Sequence, residues 1–419
     1  MKKREFFIVI AVIAFGLLYN FFESGEADIF IFDECGIYPK GLIDRNHPVS
    51  FSRQEQQYSD VASIEIENPA GQIFVKKSEN ESVVIKPLIR VYHRDQGKAK
   101  QIGKEIEIST VKDGGRLTVG IEDANDFPYK RARVHFVVSA PANVELRLHN
   151  GYGDIEIKGT GKKITINERH GDIRVQEAAG PLDIYARHGN VALSNISDKV
   201  ELNCQHGKTI LKELGALKLN CAHAQVSIAG VAGETEVDSA SYSKLEIENS
   251  GKLRIAARHT GLKLAKIRDG VQIENSHSRI ELQDVNGDIE IISRHCPIRL
   301  ARIACTNLIV QNSYGNVVIE NISGDSFDLA IEHGHLDLKI DRLAERLNIK
   351  NTHSNILLDL PGGLNPVFGI DTRYGRIINK TAGEYPILKE EQHTRLFYGT
   401  SGKPIITIDG NYSDITIAD

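Results

Sequence analysis

The chain has 419 residues, 41% of them apolar, with 36 Gly, no Trp and one Met. Lys and Arg number 51 against 56 Asp and Glu, and the net charge of -5 excludes the basic footprint of a nucleic-acid binder. Five cysteines, an odd number with no CxxC among them, exclude a disulfide framework and a cysteine-based metal site.

Lys2, Lys3 and Arg4 stand before an uncharged apolar run from Phe6 to Phe22. Such a run sits at the short end of what spans a bilayer, and its basic flank predicts a cytoplasmic N-terminus with the rest of the chain outside. A cleaved signal peptide is the alternative, but no A-x-A site closes the run. The expectation is a single-pass signal anchor over residues 1–24, with membrane attachment through that helix and the remainder extracytoplasmic, in the periplasm or at the cell surface. Residues 25–57 read as a polar linker carrying Pro39 and Pro48.

From 58 to 148 apolar and polar residues alternate without a fixed period, as in SIEIEN, GQIFVKK, SVVIKPLIRV, RLTVGIE and RVHFVVSAP. Strands of this kind, antiparallel or early solenoid, suit a cap over the apolar end of a repeat array. Lys98 to Ile106 predicts a helical turn.

At Tyr152 a repeat begins. An aromatic or imidazole residue, usually a small residue, and two alternating apolar residues recur about every eighteen positions, in YGDIEI (Tyr152), HGDIRV (His170), HGNVAL (His188), HGKTIL (His206) and HAQVSI (His223). The series continues through Tyr242, His259, His277, His295, Tyr314, His333, His353 and Tyr374 to Tyr412. A fixed period marks a solenoid, in which each unit buries its apolar face only against the next. A second alternating run follows the first by about nine residues, as Leu182 and Ile184 follow Ile173 and Val175. The fold class is therefore all-β, a parallel β-solenoid of two-strand coils over residues 149–419, interrupted by a loop insertion at 381–403 that holds KEEQHTR. At one strand spacing per coil the rod is on the order of 60 Å long.

The ring column, His170, His188, His206, His223, His259, His277, His295, His333 and His353 with its tyrosines, is the first candidate site. The parity of Leu182, Ile184, Ala186 and His188 predicts that the rings turn inward at a corner, as a ladder whose nitrogens or hydroxyls bond to the turn backbone. The chemical alternative is a ligand column for Zn, Cu or Ni, or a proton sensor. Tyrosine at scattered rungs disfavours metal, and no cofactor or metal site is assigned. Stacked imidazolium rings would repel, so acidification below the free imidazole value of about 6.5 is expected to destabilise the domain.

Arg169, Arg187, Arg258, Arg294 and Arg373 each precede a ring and form a candidate outer edge for teichoic acid, lipopolysaccharide or acidic polysaccharide. Asn275, Asn312 and Asn351 fall two residues before a ring, and Asn167, Asn203 and Asn220 three before; such asparagines bond turn backbone. Cys204, Cys221, Cys296 and Cys305 read as buried small thiols.

The order SIEIENPAGQIFV, RLTVGIE and FVVSAPANVELRLHNGYGDIEI, followed by GDI-like turns, resembles the DUF4097 family of bacterial adhesin-like proteins from about Val61 onward. That resemblance implies an extracytoplasmic β-solenoid, often tethered by one N-terminal helix. The regular His and Tyr at the turns depart from the family's usual Asn. Together these features predict a structural, adhesion-like or envelope-binding protein, not an enzyme, whose partners are an envelope or matrix polysaccharide or another envelope protein. A polysaccharide-active β-helix enzyme and an end-to-end scaffold are the alternatives. The tight loops between Tyr152 and Tyr374 build no cleft walls for the first of these.

Overall fold

The computed structural model describes Pro48–Asp419. The proposed signal anchor, most of the linker and Cys35 lie outside the described residues. Among the described residues no helix is long and apolar enough to cross a membrane.

Alternation sets the core. In the coil Lys163–Gln176, Ile164, Ile166, Ile173 and Val175 are at most 1% exposed while their neighbours face out. Each coil stacks in register on the next: Lys163–His170 pairs in parallel with Leu182–His188, and Ile155–Lys158 with Ile173–Gln176. An apolar face that one coil could not bury alone thus runs as a continuous aliphatic core along the rod.

Both ends depart from chain order, and in the same way. The coil of Ser63–Asn68 and Ile73–Lys77 is the first in sequence. It lies between the coil of Arg116–Ile121 and Ala132–Ala140 on one side and that of Glu145–Tyr152 and Ile155–Lys158 on the other. At the far end, Ile405–Asn411 and Ile415–Ala418 are last in sequence, yet they insert between the coil ending in Asn355–Asp359 and that of Val367–Arg373 and Ile377–Asn379. SIEIEN and GQIFVKK are therefore parallel solenoid strands, whereas SVVIKPLIRV is antiparallel.

Antiparallel strands lie over each outermost coil. Val83–Val91 pairs with Ala132–Ala140, and Val49–Ser52 and Gln56–Tyr58 pair with Val83–Val91 in turn, so strands begin within what the sequence suggests is linker. The helical turn is a helix over Gln96–Glu105, capped by Asp95, whose Oδ1 accepts from the amides of Gly97 and Lys98. The insertion at 381–403 is largely a hairpin, Ile387–Glu390 and His393–Tyr398, that pairs antiparallel with Val367–Arg373.

Candidate functional site

The ring column forms one stack. Successive centroids from Tyr152 to His170, His188, His206, His223 and Tyr242 lie 4.8, 4.8, 5.1, 5.1 and 5.3 Å apart. The stack continues through His259, His277, His295, Tyr314, His333 and His353 at 4.6 to 5.1 Å. Tyr412 then stacks on His353 and Tyr374 on Tyr412, each at 4.7 Å, an order that follows from the inserted last coil. Tyr129 opens the column 5.5 Å from Tyr152, reaching from a loop to the corner where the first coil has only Ala70. A cation lies over each terminal ring: Lys130 Nζ is 5.9 Å from the Tyr129 centroid, and Arg373 Cζ is 5.2 Å from that of Tyr374.

The rings do not turn inward. His188, His206, His223, His277, His295, His333 and His353 are exposed, His170 and His259 half-buried, and Tyr242 is 60% exposed. From His206 onward every ring residue is left-handed, with φ between 50° and 63°. A left-handed residue breaks the alternation that would have carried the ring into the core, because it reverses the local twist of the strand. His is among the side chains enriched in that region, which accounts for its place at the corner. At Tyr152 and His188 the next residue takes the turn instead, Gly153 at φ 125° and Gly189 at φ 150°. A Cβ on Gly189 would meet the carbonyl oxygen of Gly171 on the adjacent coil at 1.9 Å.

The expected ring-to-backbone hydrogen bonds are also absent among the described residues: no imidazole nitrogen of the column has a protein partner. Tyr374 donates its hydroxyl to Gln392 at 2.8 Å. Nor is the geometry that of a chelate. Zinc–nitrogen bonds of about 2.1 Å hold two ligating nitrogens within about 4.2 Å, with the metal in both ring planes, whereas here neighbouring imidazole centroids stand 4.7 to 5.1 Å apart with their planes within 26° of parallel. Among the described residues no three His, Cys, Asp or Glu side chains converge.

Inside the rings lies a buried column two residues earlier. Asn150, Asn275, Asn312 and Asn351 are at most 4% exposed, and their Nδ2 groups donate to turn carbonyls. In the coil after Asn150 the same position holds Glu168, 1% exposed and pushed up to about 8, chiefly by burial. Its Oε1 accepts from the amide of His170 at 3.0 Å, while its Oε2 and the Oδ1 of Asn150 both lack a donor. A protonated Glu168 would carry a donor into this register-paired set of acceptors. Cys204, Cys221, Cys296 and Cys305 are buried free thiols, and burial pushes Cys221 and Cys305 up to about 12.

The arginines line an edge only where their coils are neighbours. Arg169 and Arg187 lie on adjacent coils, but Arg258 is flanked by Ser241 and Ser276, Arg294 by Ser276 and Ser313, and Arg373 by Asn411. Arg169 and Arg187 instead border a groove of about 490 Å³ whose floor is Ala186, Cys204 and Cys221 and whose far wall is Asn167, Tyr185, Asn203 and Asn220. The asparagines three before the ring thus form a wall, and small residues at the buried position leave the hollow.

The second corner went unread in the sequence. Seven residues after the rings, another left-handed column carries Glu177, Asn195, Glu213, Asn249, Lys266, Asp284, Arg302 and Asn321, at φ 51° to 58°. Its charges pair across coils: Lys266 Nζ lies 2.6 Å from Glu248 Oε1 and Arg302 Nε 2.6 Å from Asp284 Oδ1. Its column repeats at the same spacing as the rings, which is the only sequence signal that could have found it.

No curated protein matches the chain. Solved structures with some likeness include a "putative cell adhesion protein" from Clostridium sporogenes, 9% identical over 89% of this chain and 99% of that one, TM-score 0.16. Others are a "putative adhesin" from Bacteroides fragilis, 10% identical over 88% and 97%, TM-score 0.19, and a "putative lipid binding protein" from Parabacteroides distasonis, 11% identical over 88% and 97%, TM-score 0.20. The family model described as Toastrack DUF4097 matches residues 61–295 and 249–417, so the chain belongs to the DUF4097 family.

Proposed function

We propose that the protein is a non-catalytic adhesion or scaffold rod of the cell envelope, tethered by residues 1–24 with the solenoid outside the cytoplasm, and that it contacts envelope or matrix polysaccharide through the groove beside the rings. The observation that carries this reading is the lining of that groove. Planar amides at Asn167, Asn203, Gln205 and Asn220, guanidinium groups at Arg169 and Arg187, and the half-exposed ring of Tyr185 offer the donors, acceptors and apolar face that sugar hydroxyls and ring hydrogens require. Glycoside hydrolysis calls for two carboxyl groups flanking the scissile bond. The groove holds one, Glu168, buried in its floor.

Binding of the full-length chain to neutral envelope and matrix polysaccharides tests the reading. Saturable binding that falls about tenfold in an Arg187→Gln, Asn203→Ala variant supports it; absence of binding to every polymer sinks the adhesive part and leaves a scaffold. Protease digestion of intact cells tests the compartment, because a solenoid that stays protected until the inner membrane is breached is not outside the cytoplasm.

A further inference from the structure

We infer that the ring column from His188 to Tyr314 is a pH-switched binding ribbon for a linear polyanion, which meets the groove at Arg187 and takes a ligand of different chemistry. Through eight successive coils, the ring and the residues one before, one after and two after it include no Asp or Glu, in a chain whose net charge is -5. The position before the ring contributes Arg187, Arg258 and Arg294, all exposed, and the position two after it contributes Lys208, Lys244 and Arg279. Elsewhere along the rod cations are matched across coils, as Lys218 is with Asp238 at 2.7 Å and Arg346 with Asp328 at 2.9 Å. At the ribbon Arg187, Lys208, Arg258 and Arg294 form no ion pair among the described residues.

The acids nearest the ribbon are accounted for. Glu246 binds Lys244 at 2.7 Å and Glu281 binds Arg279 at 3.0 Å, so each neutralises a cation on one flank. On the other flank Glu274 stands three residues before His277 and Asp238, four before Tyr242, binds Lys218 at 2.7 Å, while Asp172 and Glu332, the latter accepting from Ser313 Oγ at 3.2 Å, close the two ends. Between those ends six imidazoles, His188, His206, His223, His259, His277 and His295, present ring edges to solvent about one strand spacing apart.

Stacking covers the ring faces and leaves the edges, so the ribbon offers a row of nitrogen donors and acceptors. Imidazole is the side chain whose free form gains its charge between pH 5 and 8. With neutral rings four of the eight coils carry an unpaired cation, at Arg187, Lys208, Arg258 and Arg294; protonated rings would add a second charge on those coils and a new one at His223 and His277. Such a row repels itself until a polyanion lies along it, so binding takes up protons and is favoured by acid. The fold does not demand these rings. The second corner makes the same left-handed turn with Glu, Asn, Asp, Lys and Arg.

Inorganic polyphosphate and polygalacturonate are the probes, with neutral dextran as control, each titrated into the full-length chain at pH 5 and pH 8 and at low and high salt. The expected result is affinity at least about tenfold tighter at pH 5, with net proton uptake seen as a buffer-dependent binding enthalpy and a steeper loss with salt. Binding of one polymer alone identifies the anion, phosphate or carboxylate. The variant His206→Tyr, His223→Tyr, His259→Tyr, His277→Tyr removes four of the six imidazoles and keeps the stack, as Tyr242 and Tyr314 already do, and should lose most of the pH dependence while retaining the wild-type circular dichroism. If tyrosine at four positions prevents folding, asparagine, which suits a left-handed residue, replaces it at the same sites. Equal affinity at both pH values, no binding at pH 5, or a pH response that survives undiminished in a folded variant overturns the proposal, and none of these results bears on neutral polysaccharide in the groove.

Discussion

In the coils from His206 to Tyr314 two left-handed corners solve one backbone problem with different side chains. At one, rings stack face to face with exposed edges and no carboxylate beside them from His188 to Tyr314. At the other, acids, amides and cations mix, and Asp284 with Arg302 or Glu248 with Lys266 pair between coils. Since both corners hold φ near 50° to 60°, the turn itself asks only for tolerance of the left-handed region. What differs between them is charge and chemistry, and that difference points to recognition more than to folding.

The largest effect should come from the close approach of coils beneath the rings. Gly189→Ala places a Cβ 1.9 Å from the Gly171 oxygen at φ 150°, and is expected to cost about 3 kcal/mol in denaturant unfolding. A wild-type midpoint for that variant would mean the coils give way more easily than their register implies.

Next comes Glu168, at the only coil of the inner Asn column that carries a carboxyl. Its folded value of about 8 lies above the usual carboxyl range, so its contribution is intact at pH 4 and is lost as pH rises toward and through 8. Glu168→Gln should raise stability at pH 8.5 by up to a few kcal/mol and change little at pH 4. A gain of equal size at both values would show that the proton is not what matters there.

Acid should act on the two corners unequally. The imidazoles stand at the ring corner and none at the second, so the four-fold His→Tyr variant should melt with less dependence on pH than the wild type. Part of that dependence belongs to His135, which burial, then Arg90 and Arg133, hold down at about 4. Its unfolded form takes a proton near 6.5 and the folded form does not, so this stability is present above 6.5 and drains away as pH falls toward 4. His135→Gln in the His→Tyr background separates the two, and an unchanged wild-type melting temperature from pH 7.5 to 5 would sink both contributions.

Smaller effects separate stacking from pairing. His277→Asn removes ring contacts to His259 at 4.7 Å and to His295 at 4.9 Å and should cost about 1 kcal/mol, since Asn accepts the same φ. Asp284→Asn removes the ion pair with Arg302 at the exposed second corner and should leave the melting temperature at pH 7 within error. A larger loss at Asp284 than at His277 would reverse the comparison, making the polar corner the structural one.

Much of the solenoid was legible in the sequence because its information is local and repeated. Period-two alternation put Ile164, Ile166, Ile173 and Val175 in the core, and the eighteen-residue recurrence put His170 over Tyr152. The ring direction was not legible, because extending the parity of Leu182, Ile184 and Ala186 assumes that the strand continues through the corner, and one left-handed residue cancels the assumption. The second corner escaped for a related reason. Its eight charged and amide residues share a tolerance of φ, not a side-chain signature. The groove combined two columns that the sequence offered separately, Asn167 with Asn203 and Asn220, and Arg169 with Arg187, and only the small residues between them made a hollow.

The sequence by itself determined the all-β repeat, its period, the aliphatic core and the existence of a ring column, since each follows from residue spacing along a strand. Tertiary structure alone decided that the rings face solvent, that Tyr129 opens the column, and that the first and last coils in sequence each lie one place in from the end of the rod. These pairings join segments far apart in the chain, and no local pattern in Ser63–Lys77 or Ile405–Ala418 records which edge each will meet.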